Sequence, residues 1–158
     1  MFPQLLPYLV FLHVLGAIIA FGPGFAFAVM GGMAAKEPQH GNFSARQVEA
    51  ISTRIVYPLA IFQGVTGVLI ILSVNYPVQS SPWLMLGITL YIIALVYSFA
   101  VQRVAVHRLI ELTSTPPAPG SPPNPEISAT VKRIQRGGMI LGLLVIVIVF
   151  LMVVKPGT

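Results

Sequence analysis

The sequence has no cysteine and only four acidic residues in 158. Without cysteine there are no disulfides, thiolate metal sites, iron–sulfur clusters or thioether-attached haem. The four acids, Glu37, Glu49, Glu111 and Glu126, lie outside the strongly apolar runs, so no carboxylate pair stands ready for acid–base chemistry within them. A phosphate-cradling glycine loop and an activated nucleophile are missing as well, which removes hydrolases and ATPases from consideration. No residue is assigned a catalytic role. Charge of any sign is scarce, at 8% of residues against roughly 25% in an ordinary soluble domain. The net charge of +5 does not point to nucleic acid, because the lysines and arginines cap apolar runs and form no stripe along a soluble element.

What is present in abundance is apolar surface: 56% of residues are hydrophobic, with a mean hydropathy of +0.87. Four runs, over residues 5–33, 55–74, 83–101 and 139–154, approach the roughly 20 residues that a helix needs to cross a bilayer. The reading is one integral membrane domain over 1–158, all-α, a bundle of four transmembrane helices. The first run lacks a positive leader and is about twice the length of a signal-peptide core, so it is expected to be retained. Capping signals set the helix limits at about 4–33, 45–74, 82–112 and 125–154. Ser44-Ala45-Arg46-Gln47 has capping-box spacing, Ser81-Pro82 opens the third helix, and Asn124-Pro125-Glu126 opens the fourth. The proline-rich stretch over 114–124 cannot build a hydrogen-bonded ladder and reads as an extended linker.

Basic residues orient the bundle. Eight of the nine, Lys36, Arg46, Arg54, Arg103, Arg108, Lys132, Arg133 and Arg136, belong to the two loops and helix ends on one side, against Lys155 on the other. The positive-inside rule then places both termini outside and extends helices two to four into the cytoplasm, in a bacterial-type inner membrane. Arg54, Arg103 and Arg136 fall at one inner-membrane level, as candidates for lipid or anion contact. On the third-helix extension, His107 and Glu111 stand four residues apart as an exposed pair.

The first helix carries the most specific pattern. Gly16, Ala20, Gly24, Ala28 and Gly32 recur at every fourth residue, a small-residue seam suited to close helix packing or to a flat cofactor. Gly64 in helix two, and Gly138 and Gly142 in helix four, offer similar packing positions. Pro23 frees the Ile19 carbonyl and is expected to kink the helix. His13 lies almost above Ala20 on the seam and so faces protein. At its depth an antiparallel helix two would present Gln63 and Thr66. Three readings stay open: a neutral imidazole hydrogen-bonded to those side chains or to a backbone carbonyl, an axial metal ligand, or a proton relay. His40 and His107 are expected roughly 20 Å or more away, so a second histidine from the same chain would not complete a site.

Leu12-His13-Val14-Leu15-Gly16-Ala17, followed by Gly22 and Gly24, resembles the first helix of domain-of-unknown-function family 2269, predicted four-helix integral membrane proteins. The same histidine-then-glycine helix is more distantly similar to CopD proteins and to HemJ-type membrane proteins, which are held to bind haem b through a first-helix histidine. That resemblance implies haem b at His13, with Gly16, Ala20 and Gly24 admitting the macrocycle. It does not extend to oxidase activity, since Phe21-Gly22-Pro23-Gly24 lacks the Pro-Arg of the HemJ pattern. The principal expectation is therefore a small haem- or porphyrin-binding, redox-associated membrane protein. Its alternative is a non-catalytic accessory subunit of a larger respiratory or photosynthetic complex, with His13 as a packing residue. Partners on either reading are the lipid bilayer and further membrane subunits or a second copy of the chain. A transporter is the weaker third option, because the broken helices of transporters come in paired repeats and none is present.

Overall fold

The computed structural model describes residues 3–115 and 124–157; residues 116–123 of the proline-rich linker lie outside the described residues. Four long helices account for nearly all of it: α1 (Leu6–Lys36), α2 (Pro38–Val74), α3 (Pro82–Leu112) and α4 (Pro125–Val154). Each is long and apolar enough to cross a membrane, and no strand occurs among the described residues. Thirty-one residues of helix extend roughly 45 Å, well beyond a hydrocarbon core of roughly 30 Å. The polar ends therefore have length to spare.

Local chemistry sets the breaks. Pro38 forces the residue before it out of the helical region, and Glu37 accordingly adopts φ −125° and ψ 72°. That one residue separates α1 from α2. The second helix thus begins seven residues before the capping-box reading placed it, because Pro38 itself supplies a ready-made first position. Ser44 stands inside the helix rather than at its start. At the opposite end Asn75 takes a left-handed conformation, φ 49°, in the turn leading to α3. Ser81 precedes Pro82 there, but its hydroxyl donates back to the Pro77 carbonyl at 2.9 Å instead of capping the helix. Asn124 does cap α4, accepting from the Glu126 amide at 2.9 Å. Lys155 in a left-handed conformation, with Pro156 after it, closes that helix.

Two wider π-type turns interrupt the α-helical pitch, Ser52–Val56 in α2 and Ser98–Gln102 in α3. In α2 the wide turn ends just before Pro58, which cannot donate a backbone hydrogen bond into the preceding turn. The matching turn in α3 has no proline to explain it. The Tyr57 and Phe99 rings meet here with centroids 4.6 Å apart.

Packing is pairwise. The principal contacts join α1 to α2 and α3 to α4, with α2 and α3 joined along their polar halves and a smaller contact between α1 and α4. Buried positions in the middle of the bundle are small, among them Gly16, Ala20, Ala60, Gly87 and Gly137. Lipid supplies no hydrophobic drive between helices, so close backbone approach must hold them. Large apolar side chains gather near the α2–α3 turn, where Trp83, Leu84 and Leu151 form a buried cluster with Ile71, Tyr76, Val147 and Met152 around it.

Gly137 allows the α3–α4 approach. A Cβ there would collide with the Gln102 side chain and stand 3.0 Å from the Tyr97 hydroxyl. Gly138, one residue on, has nothing within 4 Å. Gly137→Leu is therefore expected to destabilise the folded protein by about 1–3 kcal/mol, the usual range for overpacking, while Gly138→Leu stays close to wild type. Thermal unfolding of both variants in detergent would decide it. Equal losses would mean that the α3–α4 contact does not depend on this position.

Candidate functional site

The region around His13 brings together the polar groups that two apolar helices carry at one depth. Gly16 on α1 and Gly67 on α2 carry no side chain where the two helices face each other, so the helices can close. A Cβ on Gly67 would stand 3.2 Å from the imidazole Cε1, and one on Gly16 would stand 3.1 Å from the Gln63 Oε1 and 3.3 Å from the Phe62 ring. Either addition would press against the site. Ala20 is completely buried a turn further along.

Both ring nitrogens of His13 are engaged by α2. Nδ1 lies 2.9 Å from Thr66 Oγ1, and Nε2 lies 3.0 Å from Gln63 Nε2. The tautomer follows from the neighbours. The Thr66 hydroxyl directs its hydrogen to carbonyls of its own helix, Phe62 at 3.0 Å and Gln63 at 3.1 Å. Its oxygen is thus left to accept, so His13 Nδ1 donates. The unprotonated Nε2 then accepts from the Gln63 amide, and the ring is neutral. Thr66 is 2% exposed and Gln63 8%, so water does not compete with this arrangement. The Gln63 Oε1 faces Gly16 and finds no hydrogen-bond partner among the described residues.

This geometry corrects the haem b and metal-ligand reading of His13. An axial ligand needs one ring nitrogen directed at the metal, and here each is directed at a side chain of α2. The space beside Gly16 is filled by Phe62 and Gln63, and Ala20 is completely buried, which leaves no slot for a macrocycle on that face. Nor do the other histidines contribute. His40 lies 3.8 Å from Glu37, and His107 Nε2 pairs with Glu49 at 2.7 Å. Among the described residues no three of His, Cys, Asp or Glu gather in a group that could hold a metal ion. The redox-associated role expected with the cofactor goes with it.

The seam itself divides. Gly16 and Ala20 are buried, whereas Gly24, Ala28 and Gly32 are exposed, and Gly24 and Gly32 have nothing within 4 Å. A stride of four residues overshoots a full helical turn by about 40°, so Gly32 points about 160° away from Gly16. Pro23 sits between the two halves, and α1 runs through it without a break. Gly64 packs under Tyr91, whose hydroxyl stands 2.8 Å from a Cβ placed there and donates to the Ala60 carbonyl at 2.6 Å. Gly138 and Gly142 meet open space. Arg54, Arg103 and Arg136 are all exposed.

Several polar contacts escaped sequence reasoning because their partners are remote in the chain. His107 pairs with Glu49 on α2 rather than with Glu111 on its own helix. Glu111 and Glu126 instead share Arg108, at 3.2 Å and 2.7 Å. Asn42 Nδ2 donates to the Ile110 carbonyl at 3.1 Å and to the Thr113 hydroxyl at 3.0 Å, and Gln102 donates to the Ile134 carbonyl at 3.0 Å. A polar residue in each extension was the only signal available.

Comparison with known families gives one result. A profile described as predicted integral membrane protein (DUF2269) matches residues 7–156. No curated protein and no solved structure matches the chain.

If His13 acts as a packing residue, its loss and that of Gln63 should be coupled. A double-mutant cycle of His13→Ala and Gln63→Leu, read by thermal unfolding, is expected to give a coupling of about 0.5–1.5 kcal/mol, the range of interhelical hydrogen bonds in membranes. Strict additivity would show that something other than Gln63 holds the ring.

Proposed function

The chain belongs to the DUF2269 family of predicted integral membrane proteins, and we propose that it serves as a non-catalytic packing subunit of a larger membrane assembly. The observation that supports this most is the contrast along α1. Its upper half sets His13 and Gly16 against α2 and buries Ala20, while its lower half leaves Gly22, Gly24, Gly31 and Gly32 with nothing within 4 Å. Exposed glycines in a membrane helix bring no packing of their own and weaken nothing only if a neighbour lies against them. Phe25, Val29 and Met33 on the same stretch are exposed as well. The first reading of a partner for this surface is another membrane helix, from a second subunit or a second copy.

On this reading the distant similarity of the first helix to CopD and HemJ-type proteins is a likeness of histidine-and-glycine packing. The charge asymmetry supports both termini on the non-cytoplasmic face of a plasma membrane, with Lys36 and the arginine-bearing helix ends inside. The His13–Thr66–Gln63 arrangement would then rigidify α1 against α2 and hold the lower face of α1 ready for its neighbour.

The oligomeric mass of protein extracted in native lipid particles tests the proposal. Wild type is expected to exceed the 17.0 kDa of one chain, and Gly24→Leu with Gly32→Leu to return it to that mass while keeping its helical signal. Wild type found only at the mass of a single chain would sink the proposal.

A further inference from the structure

The ion pairs leave a surplus of positive charge in one place. Each of the four acids already faces a histidine or Arg108: Glu37 with His40, Glu49 with His107, and Glu111 and Glu126 with Arg108. Lys132, Arg133 and Arg136 on α4 therefore face no carboxylate among the described residues, and the sequence of 116–123 contains no acid that could serve them. These three cations line an open groove of about 450 Å³, together with Tyr97 of α3, Ala129 and Ile140.

The spacing gives the groove a direction. From Ala129 to the adjacent Lys132 and Arg133, on to Arg136 and then to Ile140, each step is three or four residues, so they share one face of α4. Along that face the surface passes within two turns from cationic to apolar, at the point where Met139, Ile140 and Leu143 begin the exposed apolar part of the helix. Tyr97 closes the side, and no hydrogen bond engages its hydroxyl among the described residues. A ligand that fits must carry negative charge at one end and hydrocarbon at the other.

We propose that this groove binds the phosphate headgroup of an anionic phospholipid, with the acyl chains descending past Ile140. Arginine presents paired donors that match phosphate oxygens, and Lys132 adds a further point charge. Tyr97 supplies a neutral donor from the neighbouring helix. A zwitterionic lipid is disfavoured, since its ammonium group would have to sit among three cations. Basic pockets between membrane helices on the cytoplasmic side are suited to such headgroups. The inference needs only the membrane-spanning fold, so it stands or falls independently of the packing-subunit role.

The test is native mass spectrometry of the full chain carrying defined mixtures of phosphatidylglycerol and phosphatidylcholine. Wild type is expected to retain phosphatidylglycerol preferentially. Lys132→Gln, Arg133→Gln and Arg136→Gln together should cut that retention about tenfold or more. A control triple, Lys36→Gln with Arg46→Gln and Lys155→Gln, removes equal charge outside the groove and should change it by less than about twofold. Equal losses in the two triples, or no preference over phosphatidylcholine, would overturn the proposal. Inorganic phosphate separates headgroup chemistry from lipid: retention that survives millimolar phosphate supports a lipid ligand. Displacement by phosphate alone would assign the groove to a soluble anion and overturn the lipid.

Discussion

A polar ring in hydrocarbon has no water to fall back on, and most of this structure can be traced from how His13 meets that constraint. Both imidazole nitrogens must find partners in protein. Thr66 and Gln63 supply them from α2 at 2.9 Å and 3.0 Å. These contacts fix the rotation of α2 about its own axis as well as its height, because adjacent residues on a helix differ by about 100°. Gly64, one residue past Gln63, is thereby turned toward α3, where Tyr91 rests on it and donates to the Ala60 carbonyl. The polar contact between the first two helices thus positions the packing surface for the third.

The small residues make the same constraint affordable in space. Gly16 and Gly67 lie on either side of the imidazole and its amide partner, each with a neighbour inside ordinary contact distance of an added Cβ. Larger side chains there would separate α1 from α2 before the hydrogen bonds could form. At the α3–α4 interface Gly137 plays the corresponding part under Gln102 and Tyr97, and Gly87 receives the end of Met152. The bundle has few large buried side chains because close approach of backbone replaces them.

Much of this was legible in the sequence, and the limits have physical causes. The four helices follow from apolar runs that no soluble fold would tolerate. The inward direction of His13 follows from helical periodicity, and antiparallel rise alone names Gln63 and Thr66 as its neighbours. The choice between packing and ligation was not legible, because it turns on whether both nitrogens are occupied, which depends on the rotation of a second helix. The seam misled for a simpler reason: spacing of four drifts around the helix, so Gly24 and Gly32 leave the face that Gly16 occupies. The start of α2 was obscured by Ser44, whose capping-box spacing is real in sequence but follows a proline that had already begun the helix. Gly137 and Gly138 are indistinguishable in sequence, and only the rotation of α4 makes one of them structural.

The two ends of the bundle are closed by different forces, and the difference follows from where charge is placed. Near the α2–α3 turn, closure is by bulk: Tyr76 meets Trp83 edge-on with centroids 5.8 Å apart, and the Lys155 ammonium lies 5.6 Å from the same indole. At the opposite end the extensions are polar, and closure is by pairing between helices, Glu49 with His107 and Glu126 with Arg108. Such exposed pairs contribute little each. Their greater consequence is arithmetic. With four acids and eight lysines and arginines on that side, pairing two acids to Arg108 and two to histidines leaves seven cations without a carboxylate among the described residues. A bundle built this way is not electrically neutral at its polar end: the interhelical pairs that close it leave most of its cations facing outward.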